Sequence, residues 1–256
     1  LTEFLPVSSS GHLVVFSHIL NFQDSSGIAF EVFVHFGTLL SVLIAFRTEV
    51  QKMIMAPFYI WIKKSTDSEY REFLNWDFYI VVATIPAVIV GLLFKDAIEA
   101  AFSSILLVYS MLIVTGILMF TSQFLKFRNI PFKYSNTFII GIAQSFAILP
   151  GISRSGSTIF TGMALGMDRE KVAKFSFLMS IPAIVGAVIL KSKDMLENPP
   201  ATSELWGILA GTVFAAITGY LAIVWLMKIV KNGKLQWFGY YCLAIGFLGI
   251  TWYFVA

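Results

Sequence analysis

The sequence has very few cysteines and charged residues, and both shortages narrow what the protein can be. Cys242 is the only cysteine among 256 residues, which excludes a disulfide within one chain and a zinc site built from cysteines. Only 13% of the residues are charged, about half the share that is typical of soluble domains. The net charge of +3 is small and gives no reason to expect a nucleic-acid partner.

Apolar side chains, by contrast, dominate the sequence at 57% of all residues. Stretches that are apolar enough to cross a membrane as helices recur along its whole length. We therefore predict an all-α polytopic membrane protein with six transmembrane helices, at residues 29–47, 77–94, 104–122, 175–190, 204–227 and 237–255. Residues 48–76 are predicted to be a long polar connection, and residues 95–103 a short loop.

Two further apolar segments are interrupted by polar residues. Residues 136–166 number 31, whereas two spans need about 40 residues, and their middle is too polar for a single span. Non-helical backbone is tolerated at membrane depth where protein or a wet cavity surrounds it. We therefore predict a re-entrant helix–loop–helix hairpin there, and another at residues 1–20.

The polar interruptions of these two segments resemble each other. LPVSSSG at residues 5–11 matches LPGISRSG at residues 149–156 once one glycine is inserted. Paired broken segments in corresponding halves of a membrane protein are typical of inverted-topology repeats with a binding site near the midplane. The sequence therefore predicts one integral membrane domain, residues 1–256, with repeats at about 1–122 and 136–256.

Basic residues are distributed unevenly between the two sides of this predicted topology. Fourteen lysines and arginines fall on one side and three on the other, with Arg154 in the second interruption. By the positive-inside rule, the first side is cytoplasmic. The first hairpin then enters from outside and the second from the cytoplasm, so their tips are predicted to meet near the midplane.

The second polar interruption has the composition of an anion site. Pro150, Gly151 and Gly156 break any helix there, and we expect a new helix from about Thr158. Hydroxyls, one guanidinium and backbone N–H groups at a helix start all favour a phosphate. An arginine at membrane depth costs at least about 2.5 kcal/mol on insertion scales, so Arg154 is expected to serve a function.

A carboxylate and an imidazole flank the first interruption. Glu3 precedes the serines of residues 8–10, and His12 follows them. Together with hydroxyls that face an arginine, these groups are the parts of a metal-assisted phosphoryl-transfer site. Glu31 and His35 lie four residues apart on one predicted helix face, where they can pair with each other and support the site.

These motifs carry a resemblance to a known family that covers essentially the whole chain. TEFLPVSSSGH at residues 2–12 and PGISRSGST at residues 150–158 resemble the undecaprenyl-diphosphate phosphatases of the bacitracin-resistance type, as do the stretches from Phe30 and Phe175. The resemblance implies a hydrolase of the bacterial plasma (inner) membrane that removes the terminal phosphate of undecaprenyl diphosphate. This reaction recycles the lipid carrier of peptidoglycan synthesis. The resemblance also implies a divalent cation, Mg²⁺ or Ca²⁺, and an active site open to the outer side.

The resemblance also assigns roles to single residues. It implies catalytic roles for Glu3, Ser9, His12 and Arg154, with Glu3 also a metal ligand. The hydroxyls expected to bind the substrate phosphate are those of Ser8, Ser10, Ser153, Ser155 and Thr158. Several of the serines could instead serve only as helix caps.

Two mechanisms and two functions stay open from the sequence. Ser9 can attack the terminal phosphorus while His12 or Glu3 takes its proton, or a metal-bound water can attack directly while Ser9 donates a hydrogen bond. In both mechanisms, Arg154 stabilises the charge that develops on the phosphoryl oxygens. A transporter or flippase of polyprenyl phosphate could hold a headgroup with the same loops, although anion binding alone gains nothing from a carboxylate.

Overall fold

The computed structural model describes residues 2–20, 28–197 and 205–255, and within them all side chains except those of residues 28–31 and 190–197. Over these residues the protein is helical and has no strands, which confirms the predicted all-α class. A π-helix at Phe58–Ile62 and a 3₁₀ helix at Ser122–Phe124 accompany the α-helices. The described α-helices are α1 Ser9–Ile19, α2 Ile28–Ala45, α3 Arg47–Pro57, α4 Ser68–Leu93, α5 Lys95–Phe102, α6 Ile105–Thr121, α7 Tyr134–Phe146, α8 Arg154–Ala164, α9 Arg169–Glu197, α10 Leu205–Lys231 and α11 Gln236–Val255.

Several of these helices can cross a membrane. Within the described residues, five are long and apolar enough, namely α4, α6, α9, α10 and α11. The segments Val32–Ala45 and Arg47–Ile62 pass the same test together, but the chain bends by 83° between them. The described part of the chain therefore holds five candidate spans, or six if the bent pair counts as one, as a polytopic membrane protein requires.

The connection predicted at residues 48–76 is mostly helical. α3 runs to Pro57 and continues directly as the π-helix. α4 begins at Ser68, well before the predicted span. Asp67 caps this helix, since its side chain accepts a hydrogen bond from the Glu69 N–H at 2.9 Å.

The loop predicted at residues 95–103 is wrong, because α5 occupies it. Its alanines and charged residues are good helix formers, and these local preferences outweigh its short length. Ser104 then caps α6 by accepting a hydrogen bond from the Leu107 N–H at 3.3 Å. The chain therefore passes from one helix to the next through a very short turn.

α9 is the central helix of the described fold. It packs against α2, α4, α8 and α10, and almost every residue between Val172 and Ser180 is buried whichever face it occupies. The ring of Phe177 lies 5.8 Å from that of Phe4 and 5.6 Å from that of Phe46. These contacts fix the N-terminal segment, which carries Glu3, against the core.

α6 and α11 pack along each other and approach closely at a small residue. A Cβ added to Gly239 of α11 would lie 2.5 Å from the backbone nitrogen of Phe120 on α6. Small residues at such positions let membrane helices pack backbone to backbone. This helix pair matters for function, because Thr115 of α6 contacts the loop that contains Gly151, and Tyr241 of α11 contacts His12 at the end of the other polar loop.

Candidate active site

The N-termini of two helices meet at one small cavity. α1 begins at Ser9 and α8 begins at Arg154, and both residues line a cavity of about 200 Å³. Backbone N–H groups at two helix starts favour an anion there. The lining comes from the N-terminal segment, α1, α2, the α7–α8 loop and the start of α8: Thr2, Glu3, Ser8, Ser9, Ser10, His35, Ala147, Ile148, Ile152, Ser153 and Arg154.

The two loops that lead into these helices carry the same cap. The hydroxyl of Ser8 accepts a hydrogen bond from the Gly11 N–H at 3.2 Å, and that of Ser153 accepts one from the Gly156 N–H at 3.1 Å. In both loops, the capping hydroxyl lies 3.3 Å from the hydroxyl of the serine two residues later. The sequence match between these loops is therefore also a match in local structure.

The inserted glycine of the second loop lets the two loops touch. Gly151 has a φ of 99°, and a Cβ on it would lie 2.5 Å from the carbonyl oxygen of Val108 on α6. A Cβ on Gly11 of the first loop would lie 2.9 Å from the Cα of Gly151. Thr115 of α6 anchors the second loop, because its hydroxyl donates to the Gly151 carbonyl at 2.8 Å and accepts from the Ser153 N–H at 3.0 Å.

The helix expected from about Thr158 begins one turn earlier, so that expectation is wrong. Ser153 caps α8, and the helix starts at Arg154 with Gly156 inside its first turn. A capping hydroxyl at this position outweighs the low helix propensity of one glycine. Arg154 therefore stands at the first helical position, beside the free amides of the helix start.

Two of the predicted phosphate-binding hydroxyls lie away from the cavity. Thr158 is fully buried, and its hydroxyl lies 2.6 Å from that of Ser176 on α9. Ser155 is buried as well, with its hydroxyl 3.3 Å from that of Ser153. The predicted hydroxyls that do line the cavity are those of Ser8, Ser10 and Ser153.

Glu3 connects the two loops through its carboxylate. The Ser9 hydroxyl donates a hydrogen bond to Glu3 Oε2 at 2.7 Å, and Arg154 Nη2 lies 3.5 Å from Glu3 Oε1. Burial raises the pKa of the Glu3 carboxyl, but the Arg154 guanidinium and the Ser9 hydrogen bond outweigh burial and hold this pKa below its ordinary value. The carboxylate therefore lies between the Ser9 hydroxyl and the Arg154 guanidinium, close enough to Ser9 to take its proton.

The structure turns His12 away from Ser9. Its Nδ1 lies 2.8 Å from the Ser8 carbonyl oxygen, and its Nε2 lies 2.8 Å from the hydroxyl of Tyr241 on α11. The imidazole is buried and stacks on the Tyr241 ring, with 5.5 Å between the ring centres. Of the predicted supporting pair, His35 lines the cavity, whereas the side chain of Glu31 lies outside the described part of the chain.

Sequence reasoning missed Thr2, Thr115 and Tyr241. Thr2 lines the cavity next to Glu3 and begins the stretch TEFLPVSSSGH, but no role was assigned to it from the sequence. The other two residues lie within apolar helices far along the chain from the loops they hold. A lone threonine or tyrosine in such a helix carries no signal in a single sequence.

The donor set fits a divalent cation that is shared with substrate. The described residues hold no cluster of three acidic, histidine or cysteine side chains, as an all-protein cation site would need. Glu3 is the one acidic side chain in the described lining of the cavity. Mg²⁺ is commonly held by one or two carboxylates together with substrate phosphates and water, which a single Glu3 can satisfy.

Comparisons with known proteins give one consistent result. Residues 1–248 match the family model of bacitracin resistance protein BacA. The undecaprenyl-diphosphatase of Halothermothrix orenii is 42% identical over 252 residues, which cover 97% of this chain and 92% of that protein. The undecaprenyl-diphosphatases of Methanobrevibacter smithii and Bacteroides fragilis are each 40% identical, over 97% and 98% of this chain and 91% and 93% of their own.

Proposed function

Because the chain belongs to the family of bacitracin resistance protein BacA, we propose that it hydrolyses undecaprenyl diphosphate to undecaprenyl phosphate and inorganic phosphate. The observation that carries this proposal is the 2.7 Å contact of Ser9 with Glu3, in a cavity that Arg154 also lines. A carboxylate beside a hydroxyl can take the hydroxyl proton and so activate the oxygen for attack. A transporter would need only hydrogen-bond donors to hold a phosphate. The product returns the lipid carrier to peptidoglycan synthesis.

In the proposed mechanism, Ser9 is the nucleophile and Glu3 its base. Ser9 Oγ attacks the terminal phosphorus, Glu3 takes the hydroxyl proton, and the bond from phosphorus to the bridging oxygen breaks so that the lipid phosphate leaves. Glu3 then passes this proton to the leaving lipid phosphate. Water attacks the phosphorus held on Ser9, Glu3 takes a proton from the water and gives it to Ser9 Oγ, and the bond from phosphorus to Oγ breaks as inorganic phosphate leaves. The geometry favours Glu3 over His12 as base, because both ring nitrogens of His12 have other partners. Direct attack by water, with Ser9 as a hydrogen-bond donor, is the competing mechanism.

Arg154 and the two helix starts hold the transferred phosphoryl group. The guanidinium has five N–H donors in a planar fork, so it can contact Glu3 and two phosphate oxygens together. The first amides of α1 and α8 add donors that need no reorganisation during the reaction. Hydrogen-bond donors on two sides of the cavity therefore stabilise the negative charge that develops on the equatorial phosphoryl oxygens.

We propose that a divalent cation, Mg²⁺ or Ca²⁺, binds at Glu3 together with the diphosphate of the substrate. When bound, such a cation neutralises charge on the phosphate oxygens. The hydroxyls of Ser8 and Ser10 and the Arg154 guanidinium orient the remaining oxygens. In this arrangement, the divalent cation and the Arg154 guanidinium together neutralise the negative charge of the diphosphate.

We also propose six spans and two re-entrant hairpins, in inverted repeats of about 1–122 and 136–256. α7 and α8 pack on each other and have 13 and 11 residues, or about 20 and 16 Å, too short for a hydrocarbon core of about 30 Å. The matched caps of the two loops support the repeat. The positive-inside rule places the basic loops in the cytoplasm, and we propose, as the family resemblance implies, that the cavity opens to the outer side of the bacterial inner membrane.

This topology predicts which exposed serines an impermeant reagent can reach. Ser103, between α5 and α6, should lie outside, and Ser135, in the first turn of α7, should lie in the cytoplasm. Ser103→Cys should react with an impermeant maleimide in whole cells, and Ser135→Cys only after the cells are opened. The native Cys242 is buried and contributes little background. The reverse labelling pattern would overturn the proposed orientation.

The function itself is tested with purified protein in detergent. Undecaprenyl diphosphate should yield inorganic phosphate, and chelation of divalent cations by EDTA should stop the release until Mg²⁺ or Ca²⁺ is added back. The physical reason is that one arginine, already paired with the Glu3 carboxylate, neutralises too little of the negative charge of the diphosphate alone. A folded protein that binds the lipid but releases no phosphate with either cation would contradict the phosphatase and favour a transporter.

A further inference from the structure

The contacts of His12 fix its tautomer. A carbonyl oxygen only accepts hydrogen bonds, so the 2.8 Å contact with the Ser8 carbonyl requires a hydrogen on Nδ1 of His12. In the neutral ring, Nε2 then carries the lone pair and accepts the hydroxyl hydrogen of Tyr241 at 2.8 Å. The side chain of His12 is only 6% exposed. Each ring nitrogen therefore has one partner, and the imidazole links α11 to the first loop.

The residue that His12 holds is strained. Ser8 has a φ of 66° and a ψ of 94°, which side-chain-bearing residues rarely adopt. Its carbonyl oxygen accepts two hydrogen bonds from His12, one from the backbone N–H at 3.1 Å and one from Nδ1. This carbonyl belongs to the peptide that continues into Ser9. The strained conformation therefore sets where the Ser9 hydroxyl stands relative to Glu3.

The second loop provides an internal comparison. Its capping residue, Ser153, has an unstrained φ of −79° and ψ of 122°. The residue at the position of His12 is Ser157, which gives the Ser153 carbonyl only its backbone N–H, at 2.9 Å. The Ser157 hydroxyl is buried and has no hydrogen-bond partner among the described residues. Among the described residues, only the first of the two loops has a side chain that donates a hydrogen bond to the carbonyl of its capping serine. That loop is the strained one, and it carries Ser9.

We propose that Tyr241 is a positioning residue for the hydrolysis of the lipid diphosphate. Its hydroxyl holds the His12 imidazole, the imidazole holds the Ser8 carbonyl, and this peptide directs the Ser9 hydroxyl at Glu3. Tyr241 lies outside the lining of the cavity and acts only through His12. The proposal rests on the proposed function, because turnover is what reports the placement of Ser9.

Tyr241→Phe tests this role with a minimal change. The substitution keeps the ring that stacks on His12 and removes only the hydroxyl. We expect kcat to fall roughly five- to tenfold, as for one lost neutral hydrogen bond, with KM for undecaprenyl diphosphate unchanged within twofold. Tyr240→Phe is the matched control, because Tyr240 packs on Phe120 and its hydroxyl has no hydrogen bond to a described residue. Tyr240→Phe should keep the thermal midpoint of the wild type, and Tyr241→Phe should stay folded with a midpoint lowered by no more than about 2–4 °C.

A second comparison asks whether Tyr241 acts through His12. In a His12→Ala background, Tyr241→Phe should change kcat by less than twofold, since the link is already broken. In protein labelled with ¹⁵N-histidine, Tyr241→Phe should shift the Nε2 resonance of His12, identified by its loss in His12→Ala, and Tyr240→Phe should not. An unchanged kcat, an equal loss in the His12→Ala background, or an unmoved resonance would each overturn the role. A wild type that releases no phosphate would instead refute the proposed function, while the resonance would still report the Tyr241 contact.

Discussion

Replacing Ser9 by alanine is expected to lower the turnover of undecaprenyl diphosphate by roughly 10⁴-fold or more, as the loss of other enzymes' nucleophiles does. The substitution removes the oxygen that would bond to phosphorus and leaves the Glu3 carboxylate without the hydroxyl that it contacts at 2.7 Å. If Ser9 only donated a hydrogen bond while water attacked, the loss would be about 10²–10³-fold. The steady-state rate of phosphate release, measured with saturating cation, distinguishes these two ranges.

A control and a trapping experiment make this result decisive. Ser17 is an exposed serine on the same helix, α1, and Ser17→Ala should leave the rate unchanged. With substrate labelled in its terminal phosphate, an acid quench should leave label on the wild-type protein at Ser9 and none on Ser9→Ala. A Ser9→Ala variant that retains a tenth of the wild-type rate would exclude the covalent mechanism.

The local features of the site were predictable from the sequence, because they follow from short-range chemistry. Serines at the starts of two helices cap them, and a similar pattern at residues 5–11 and 149–156 produces a similar cap. The sequence also indicated that Glu3 and Arg154 belong to a site, because they are charged residues in apolar surroundings, and in the structure they stabilise each other. The residues that form the two polar loops could therefore be predicted from the sequence.

The partners of those residues could not be predicted, because they come from distant helices. Tyr241 lies 229 residues from His12 along the chain, and Thr115 lies 38 residues before Ser153. No local pattern in α6 or α11 distinguishes these side chains from others that pack in apolar helices. Only the fold shows that both ring nitrogens of His12 already have hydrogen-bond partners. The sequence left His12 and Glu3 as candidate bases, and these contacts favour Glu3.

The exact start of α8 shows a different limit. Gly156 reduces helix propensity, which favours a start near Thr158, but the Ser153 cap and the packing of α8 on α7 and α9 outweigh that preference. Because α8 starts earlier, Thr158 lies in its second turn, where it is buried and its hydroxyl contacts that of Ser176. Thr158 is therefore neither at the helix start nor in the lining of the cavity, where the sequence had suggested a ligand of the phosphate.

Replacing Arg154 by lysine is expected to lower kcat/KM by at least about 2.7 kcal/mol, or about a hundredfold, as for lost donors to a transition state. The guanidinium stands at the first position of α8, so it can grip two phosphate oxygens while the helix amides contact others. Lysine keeps the positive charge beside Glu3 but offers a point contact on a flexible stem. The charge that supports folding is retained, and the bidentate geometry is lost.

An arginine-to-lysine substitution outside the cavity is the control that separates a bidentate phosphate contact from a simple ion pair. Arg71 is exposed on α4 and lies outside the lining of the cavity, so Arg71→Lys should leave kcat/KM unchanged. Both variants should keep the thermal midpoint of the wild type in detergent, because each preserves its charge. If the Arg154 side chain served only as an ion-pair partner for Glu3, lysine would replace it and the activity of Arg154→Lys would remain near normal. Equal thermal midpoints with a hundredfold loss in kcat/KM therefore require that the planar fork, and not the charge alone, stabilises the transferred phosphoryl group.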